Sequence, residues 1–156
     1  MSEPSAPEPV PVARLRAEHA EAIHEVVHDR GEWTVIVDPA QIVAVCRFLR
    51  DDARTQMVFP VDVCAIHWMD RPWEYEVVYH LYSFLLNERI RLKCRVGSAG
   101  RIASVTSVFP GADWHEREAY DLVGVRFDGH PDLRRILMPE DYDAHPLRRD
   151  FPVKGY

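Results

Sequence analysis

The chain has 156 residues, 47% hydrophobic and 28% charged, with a formal net charge of −6 and a pI near 5.7. That size and balance predict one globular domain with a real core and leave little room for two. The acidic excess argues against nucleic acid or an anionic membrane as the main partner, no apolar run approaches the roughly 18 residues of a membrane span, and no signal-like apolar segment follows Met1.

Residues 1–13 are rich in Pro, Glu and Ser and are expected to form a disordered leader. From Ala13 to Arg30, the residues Leu15, Ala20, Ile23 and Val27 recur at helical spacing, which predicts a helix stopped by Gly31. Inside it, His24-Glu25-Val26-Val27-His28 matches H-E-x-x-H, and Asp29-Arg30-Gly31 extends the match toward the metzincin pattern. On a helix His24 and His28 would share a face and Glu25 could act as base to a zinc-bound water, giving a zinc metalloprotease. Three features count against that alternative. The third ligand position is Thr34, a poor zinc ligand in an apolar strand pattern; no sheet domain precedes the motif to form a cleft; and a helix cap accounts for Gly31.

Trp33 to Val37 is β-branched and reads as a strand, and Asp38-Pro39 opens a second helix to about Leu49 with Ile42, Val45, Cys46 and Leu49 on one face. Three more strands follow. Val61 to Met69 carries Val61, Val63, Ala65 and His67 in alternation, and Glu74 to Leu86 carries Tyr75, Val77, Tyr79, Leu81 and Ser83. Arg89 to Val96 alternates Ile90, Leu92, Cys94 and Val96 inward with Arg89, Arg91, Lys93 and Arg95 outward, a basic stripe expected to be a solvated sheet face. The expected fold class is therefore α+β, two-layer, with helices packed on one side of a mixed β-sheet. The three cysteines are scattered and form no Cys-x-x-Cys, the pattern of reduced thiols and not of an iron–sulfur ligand set.

The last third is the densest in charge, His and Pro. Pro110-Gly111 breaks the preceding segment, Asp113 is placed to cap a helix with Glu116 three residues on, and Arg117 and Asp121 fall one turn apart as a potential pair. Neither face of this helix is cleanly apolar, so it is poorly built to sit on its own core and suits solvent or a polar partner. Gly124 to Gly129 reads as a short strand ending in a turn. Beyond it Pro131, Pro139, Pro146 and Pro152 favour extended geometry, while Leu133, Ile136, Leu137, Met138, Leu147 and Phe151 are too apolar for a disordered tail. Such a segment suits lying along another protein's surface.

These residues resemble the 30 kDa subunit family of respiratory complex I, the C-type subunits of NADH-quinone oxidoreductase. The resemblance is carried by Glu116-Arg117-Glu118, Asp121, Leu122-Val123, His130, and Arg134 or Arg135 with Ile136-Leu137. It extends to Phe109-Pro110-Gly111-Ala112-Asp113-Trp114 and to the closing His145-Pro146-Leu147-Arg148-Arg149-Asp150-Phe151-Pro152. Asp113 is a departure, since a residue such as Asn is expected there. The match is strong from about Val105 and weaker back to about Arg14.

The resemblance implies residues 14–128 as the family's α+β domain and 129–156 as a partner-docking extension of it. It implies a non-catalytic structural subunit in the hydrophilic arm of a proton-translocating NADH:quinone oxidoreductase, docked to the 49 kDa (D-type) subunit homologue and adjacent iron–sulfur subunits near the quinone-reducing module. No cofactor is expected on this chain; FMN, iron–sulfur clusters and quinone belong to other subunits. The chain would sit peripherally on the cytoplasmic side of the cell membrane, reaching it only through the complex. A related membrane-bound hydrogenase or other-donor dehydrogenase is the alternative assembly, and a free-standing scaffold is a third. The expected interface residues are Glu116, Arg117, Glu118, Asp121, His130, Arg134, Arg135, His145, Arg148, Arg149 and Asp150. No catalytic or metal site is expected: the chain lacks a Gly-rich phosphate loop and G-x-S-x-G, and Glu116 and Glu118 point different ways on a helix. His115, His130 and His145 are expected to be solvated or partner-facing and not a metal cluster.

Overall fold

Five strands make the central sheet: β1 (Ile23–Asp29), β2 (Glu32–Val37), β3 (Phe59–His67), β4 (Tyr75–Ser83) and β5 (Glu88–Val96). They lie in the order β1-β2-β5-β4-β3 in this computed structural model, which describes residues 6–155. Only the β2–β5 pair is parallel, so the sheet is mixed. The alternation read in β4 and β5 sets their register: Val77 faces Cys94, Tyr79 faces Leu92 and Leu81 faces Ile90, all buried. A one-residue slip would turn that whole row to solvent, which is why the pairing is unambiguous.

The helices α1 (Val10–Glu18), α2 (Ile42–Asp51) and α3 (Ala112–Val123) complete the core with that row. Ile42, Val45, Cys46 and Leu49 of α2 are fully buried, as their spacing predicts. Burial of one such Leu stabilises the fold by roughly 1.5–3 kcal/mol. Val12 and Leu15 of α1 join the same cluster, so the segment assigned to a leader is already helical from Val10; residues 1–5 of that assignment lie outside the described residues. A small parallel pair, β6 (Arg101–Ala103) with β7 (Arg126–Asp128), sits beside the main sheet. The fold is thus α+β, with helices against one side of a mixed sheet.

The chief local correction concerns residues 20–30. A 3₁₀ turn at Ala20–Ala22 leads into β1, an edge strand hairpinned to β2, and not into a continued helix. Arg30 and Gly31 both have positive φ (52° and 78°), the pairing that a tight two-residue hairpin demands, so Gly31 serves a β-turn and not a helix cap. His28 stacks on Trp33 across the hairpin at 4.4 Å. On a strand rising about 3.3 Å per residue, four positions separate His24 from His28 by roughly 13 Å, so the two cannot share a metal ion. The H-E-x-x-H match loses its geometric basis.

The basic stripe on β5 is neutralised on the sheet's outer face. Arg91 pairs with Glu32, Lys93 lies 3.5 Å from Glu76 and Arg95 lies 3.3 Å from Glu25. These acids come from β1, β2 and β4, so the stripe is cross-strand electrostatics with half-buried stems.

Candidate functional site

α3 lies against β3 and presents a charged face inward, where Glu116 and Asp121 are fully buried and Arg117 nearly so. Asp113 does not cap this helix: Gly111 occupies the cap position and no side chain bonds there. The buried charges answer to groups far along the chain. Glu116 accepts from the Ser104 hydroxyl at 2.6 Å and from the Val105 N–H at 2.8 Å, tying α3 to the segment after β6. Burial nevertheless pushes its carboxyl above the usual range, the two hydrogen bonds opposing only in part.

Asp121 is the hub of the C-terminal segment. One carboxylate oxygen accepts the successive N–H groups of Ile136, Leu137 and Met138 at 3.1, 2.7 and 2.9 Å, and the other accepts Arg135 at 2.7 Å. Three backbone donors converging on one oxygen form an anion-binding nest. Burial disfavours the carboxylate, but these donors and the guanidinium outweigh it, so the group is held below the usual carboxylate range. Arg135 also donates to the carbonyls of Ala144, at 2.9 Å, and Tyr142. Arg117 does not pair with Asp121; it donates to the carbonyls of Arg134 and Arg135 at 3.1 and 2.8 Å. Together α3's charges stitch down a strap that has little secondary structure to satisfy its own backbone.

The strap is fixed at three further points. His130, its side chain fully buried, reaches the Asp113 carboxylate at 3.1 Å, and the Asp132 N–H donates to its other nitrogen at 3.0 Å. His145 bonds the Asp121 carbonyl at 2.9 Å and packs on Gly124, where an added Cβ would lie 2.9 Å from the ring. Arg148 pairs with Asp150 at 3.0 Å and bonds Tyr75, while the Arg149 N–H donates to the buried His67 at 3.1 Å. His115 bonds elsewhere, 3.2 Å from Asp62. The His130 side chain is buried, a correction to a solvated role, and His145 bonds within its own chain.

Among the expected interface residues, Glu116, Arg117, Asp121, His130, Arg135, His145 and Arg148 all engage their own chain. Asp150 does so through Arg148, and Arg134 through Asp132 at 2.9 Å. Glu118 and Arg149 are exposed and make no ion pair among the described residues. The helix expected to be poorly suited to a core does sit on one, a correction: Ala112, Ala119 and Val123 enter the hydrophobic core, while its buried charges face the strap of the same chain. Tyr75, His67, Glu74 and Ser104 went unrecognised as anchors because their partners lie at least 12 positions away, apart from the local His67–Glu74 contact.

No group of three or more His, Cys, Asp or Glu side chains is arranged to hold a metal ion among the described residues, and no described helix is long and apolar enough to cross a membrane. Cys46 and Cys94 are buried and Cys64 partly so, all three free; burial pushes the Cys64 thiol up to about 11, so it stays protonated near neutrality.

A two-layer α+β domain whose helix charges clamp down its own C-terminal strap is the class of protein that fold and site define. The family described as "Respiratory-chain NADH dehydrogenase, 30 Kd subunit" matches residues 35–156, and the chain belongs to that family. It is 51% identical over 126 residues to the C-type subunit of NADH-quinone oxidoreductase from Mesorhizobium japonicum, covering 81% of this chain and 63% of that one. It is 42% identical over 149 residues to the C 2 subunit of NADH-quinone oxidoreductase from Rhizobium meliloti, covering 95% and 81% respectively. The chain thus spans less than two thirds of the Mesorhizobium relative. A solved structure described as Nqo5 of the trypsin-resistant fragment (1-134) shares the fold at a TM-score of 0.63 and 23% identity, covering 80% of this chain and all of that one.

Proposed function

We propose that the chain is a non-catalytic structural subunit in the hydrophilic arm of a proton-translocating NADH:quinone oxidoreductase. In this reading it docks to the 49 kDa subunit homologue and neighbouring iron–sulfur subunits near the quinone-reducing module, at the cytoplasmic side of the membrane. FMN, the iron–sulfur clusters and quinone are then held by those other subunits. Family membership supplies the complex, and one structural observation carries the role. The strap is locked to α3 by buried charge yet leaves Leu137, Leu147 and Val153 exposed, with Leu147 and Glu118 lining one shallow cleft. A segment fixed in place with three apolar side chains outward is preorganised for a partner, which lowers the entropic cost of docking.

The test is a pull-down of the tagged chain from gently solubilised membranes of its host, with mass spectrometry of what accompanies it. Recovery of the 49 kDa homologue with FMN- and cluster-bearing subunits supports the reading. Hydrogenase subunits, or those of a dehydrogenase with another donor, would move the chain to the sister assembly, and a clean monomer would overturn the subunit role.

A further inference from the structure

The turn joining β3 to β4 places Trp68, Met69, Arg71 and Trp73 at one corner of the sheet, beside the end of β5 and the closing residues of the strap. Arg71 sits 4.8 Å from the Trp68 ring centre, and Arg149 sits 5.3 Å from the same ring. Arg95 stacks on Trp73 at 4.1 Å. Two guanidinium groups thus share one indole. Like charges gathered in this way repel, and neither Arg71 nor Arg149 forms an ion pair among the described residues. The acids nearby are largely committed: Glu74 serves His67 and Arg148, Asp150 serves Arg148, and Glu25 serves Arg95, which leaves Asp70.

Donors are also in surplus here. Nε1 of Trp68, Nε1 of Trp73 and Nε of Arg95 are buried without an acceptor. An open cleft of about 390 Å³ adjoins the corner, lined by Trp68, Met69, Arg71 and Pro72 with Glu74 and Asp150, and Met69 is 69% exposed at its rim. A guanidinium stacked on a ring keeps its in-plane N–H fork free for a carboxylate, and stacking limits the side-chain entropy lost when the contact forms.

We infer that the Trp68–Arg71–Arg149 corner is a docking site for a carboxylate-bearing segment of a partner protein. This deepens the subunit reading, on which it rests for the existence of a protein partner; the chemistry of the corner stands on the arginines and rings alone. A carboxylate pair meets the two forks bidentately while Met69 and Pro72 cover the apolar part of the segment. An anionic bilayer is a poorer fit. It is drawn to a broad basic surface, and here Glu25, Asp70, Glu74 and Asp150 surround the arginines, leaving two unpaired guanidinium forks that suit a discrete pair of carboxylates.

The experiment is calorimetric titration of the purified full chain with a hexaglutamate peptide at low and at physiological salt. The expected result is saturable, salt-weakened binding that falls by about tenfold in the Arg71→Gln/Arg149→Gln double variant. Its thermal unfolding should stay close to the wild type, because both exposed-corner side chains lie over indole rings and neither forms an ion pair among the described residues. A charge-matched double variant at the far end of the sheet, Arg30→Gln/Arg89→Gln, should bind as the wild type does. Absence of binding overturns the inference, as does equal loss in both double variants, which would mark bulk electrostatics only. Tighter binding to mixed phosphatidylcholine–phosphatidylserine vesicles than to the peptide would overturn it in favour of a membrane surface. Because the titration needs no recovered complex, a failed pull-down with intact peptide binding would count against the subunit reading alone, and the reverse result against this site alone.

Discussion

Asp121 and Glu116 are both fully buried carboxyls on one helix, yet their environments push them in opposite directions. Asp121 has its folded-state value depressed below 3.8, so its contribution to stability is complete above that pH and is lost as pH falls through the lower, folded value. Glu116 has its folded-state value raised above 4.5, so its contribution is complete below that pH and is lost as pH rises through the raised value. Glu116→Gln keeps an acceptor for the Val105 N–H and a donor for Ser104 while removing the titration. We expect the Gln variant to equal or exceed the wild type in urea midpoint at pH 7.5 and to lose that advantage at pH 4. An advantage that persisted unchanged at pH 4 would show that Glu116 is not the titrating group. Asp121→Asn should cost about 3–5 kcal/mol, because it strands the Arg135 guanidinium and weakens the acceptor of three N–H groups. Gly124→Ala should cost more than about 1 kcal/mol in thermal or urea unfolding: φ there is +92° and the new Cβ would strike the His145 ring.

At the scale of elements, the strap behaves as part of the domain only because α3 holds it. Arg135→Ala removes its bonds to Asp121, Ala144 and Tyr142 at once. Limited trypsin digestion should then cut within residues 129–156 well before the sheet in that variant, whereas the wild-type strap should resist. Equal cleavage rates would mean the strap opens independently of this lock. The β1–β2 hairpin shows how an element can be misread. Ile23 and Val27 satisfy a helical period, but Val26-Val27 is β-branched, and Arg30-Gly31 before another β-branched run is a hairpin turn signature. Where a short stretch fits both periods, pairing with β2 decides.

For the whole molecule, Arg148→Ala and Glu118→Ala are unequal tests of assembly. Arg148 is committed within the chain to Tyr75, Glu74 and Asp150, so Arg148→Ala should loosen the strap as well as any interface. Glu118 is exposed and unpaired among the described residues. Glu118→Ala should therefore leave thermal unfolding within about 0.5 kcal/mol of the wild type while lowering recovery of co-purified subunits. Full recovery with Glu118→Ala would remove this residue from the interface.

Strands β2 to β5, α2 and the inward rows of β4 and β5 were legible from the chain alone, because each is written in a local period of 2 or 3.6 that says which side chains leave water; the edge strand β1 was not. The family too was legible, since its marks form one contiguous run from Phe109 to Pro152. What no period encodes is the partner of each buried charge. Asp121 finds Arg135 14 positions away, Glu116 finds Ser104 12 away and Arg148 finds Tyr75 73 away. A carboxylate one turn from an arginine reads as a helix pair, worth only a few tenths of a kcal/mol when exposed. Burial changes the choice: a desolvated charge takes the partners that satisfy most of its hydrogen-bonding capacity, and here only the fold could bring them within reach.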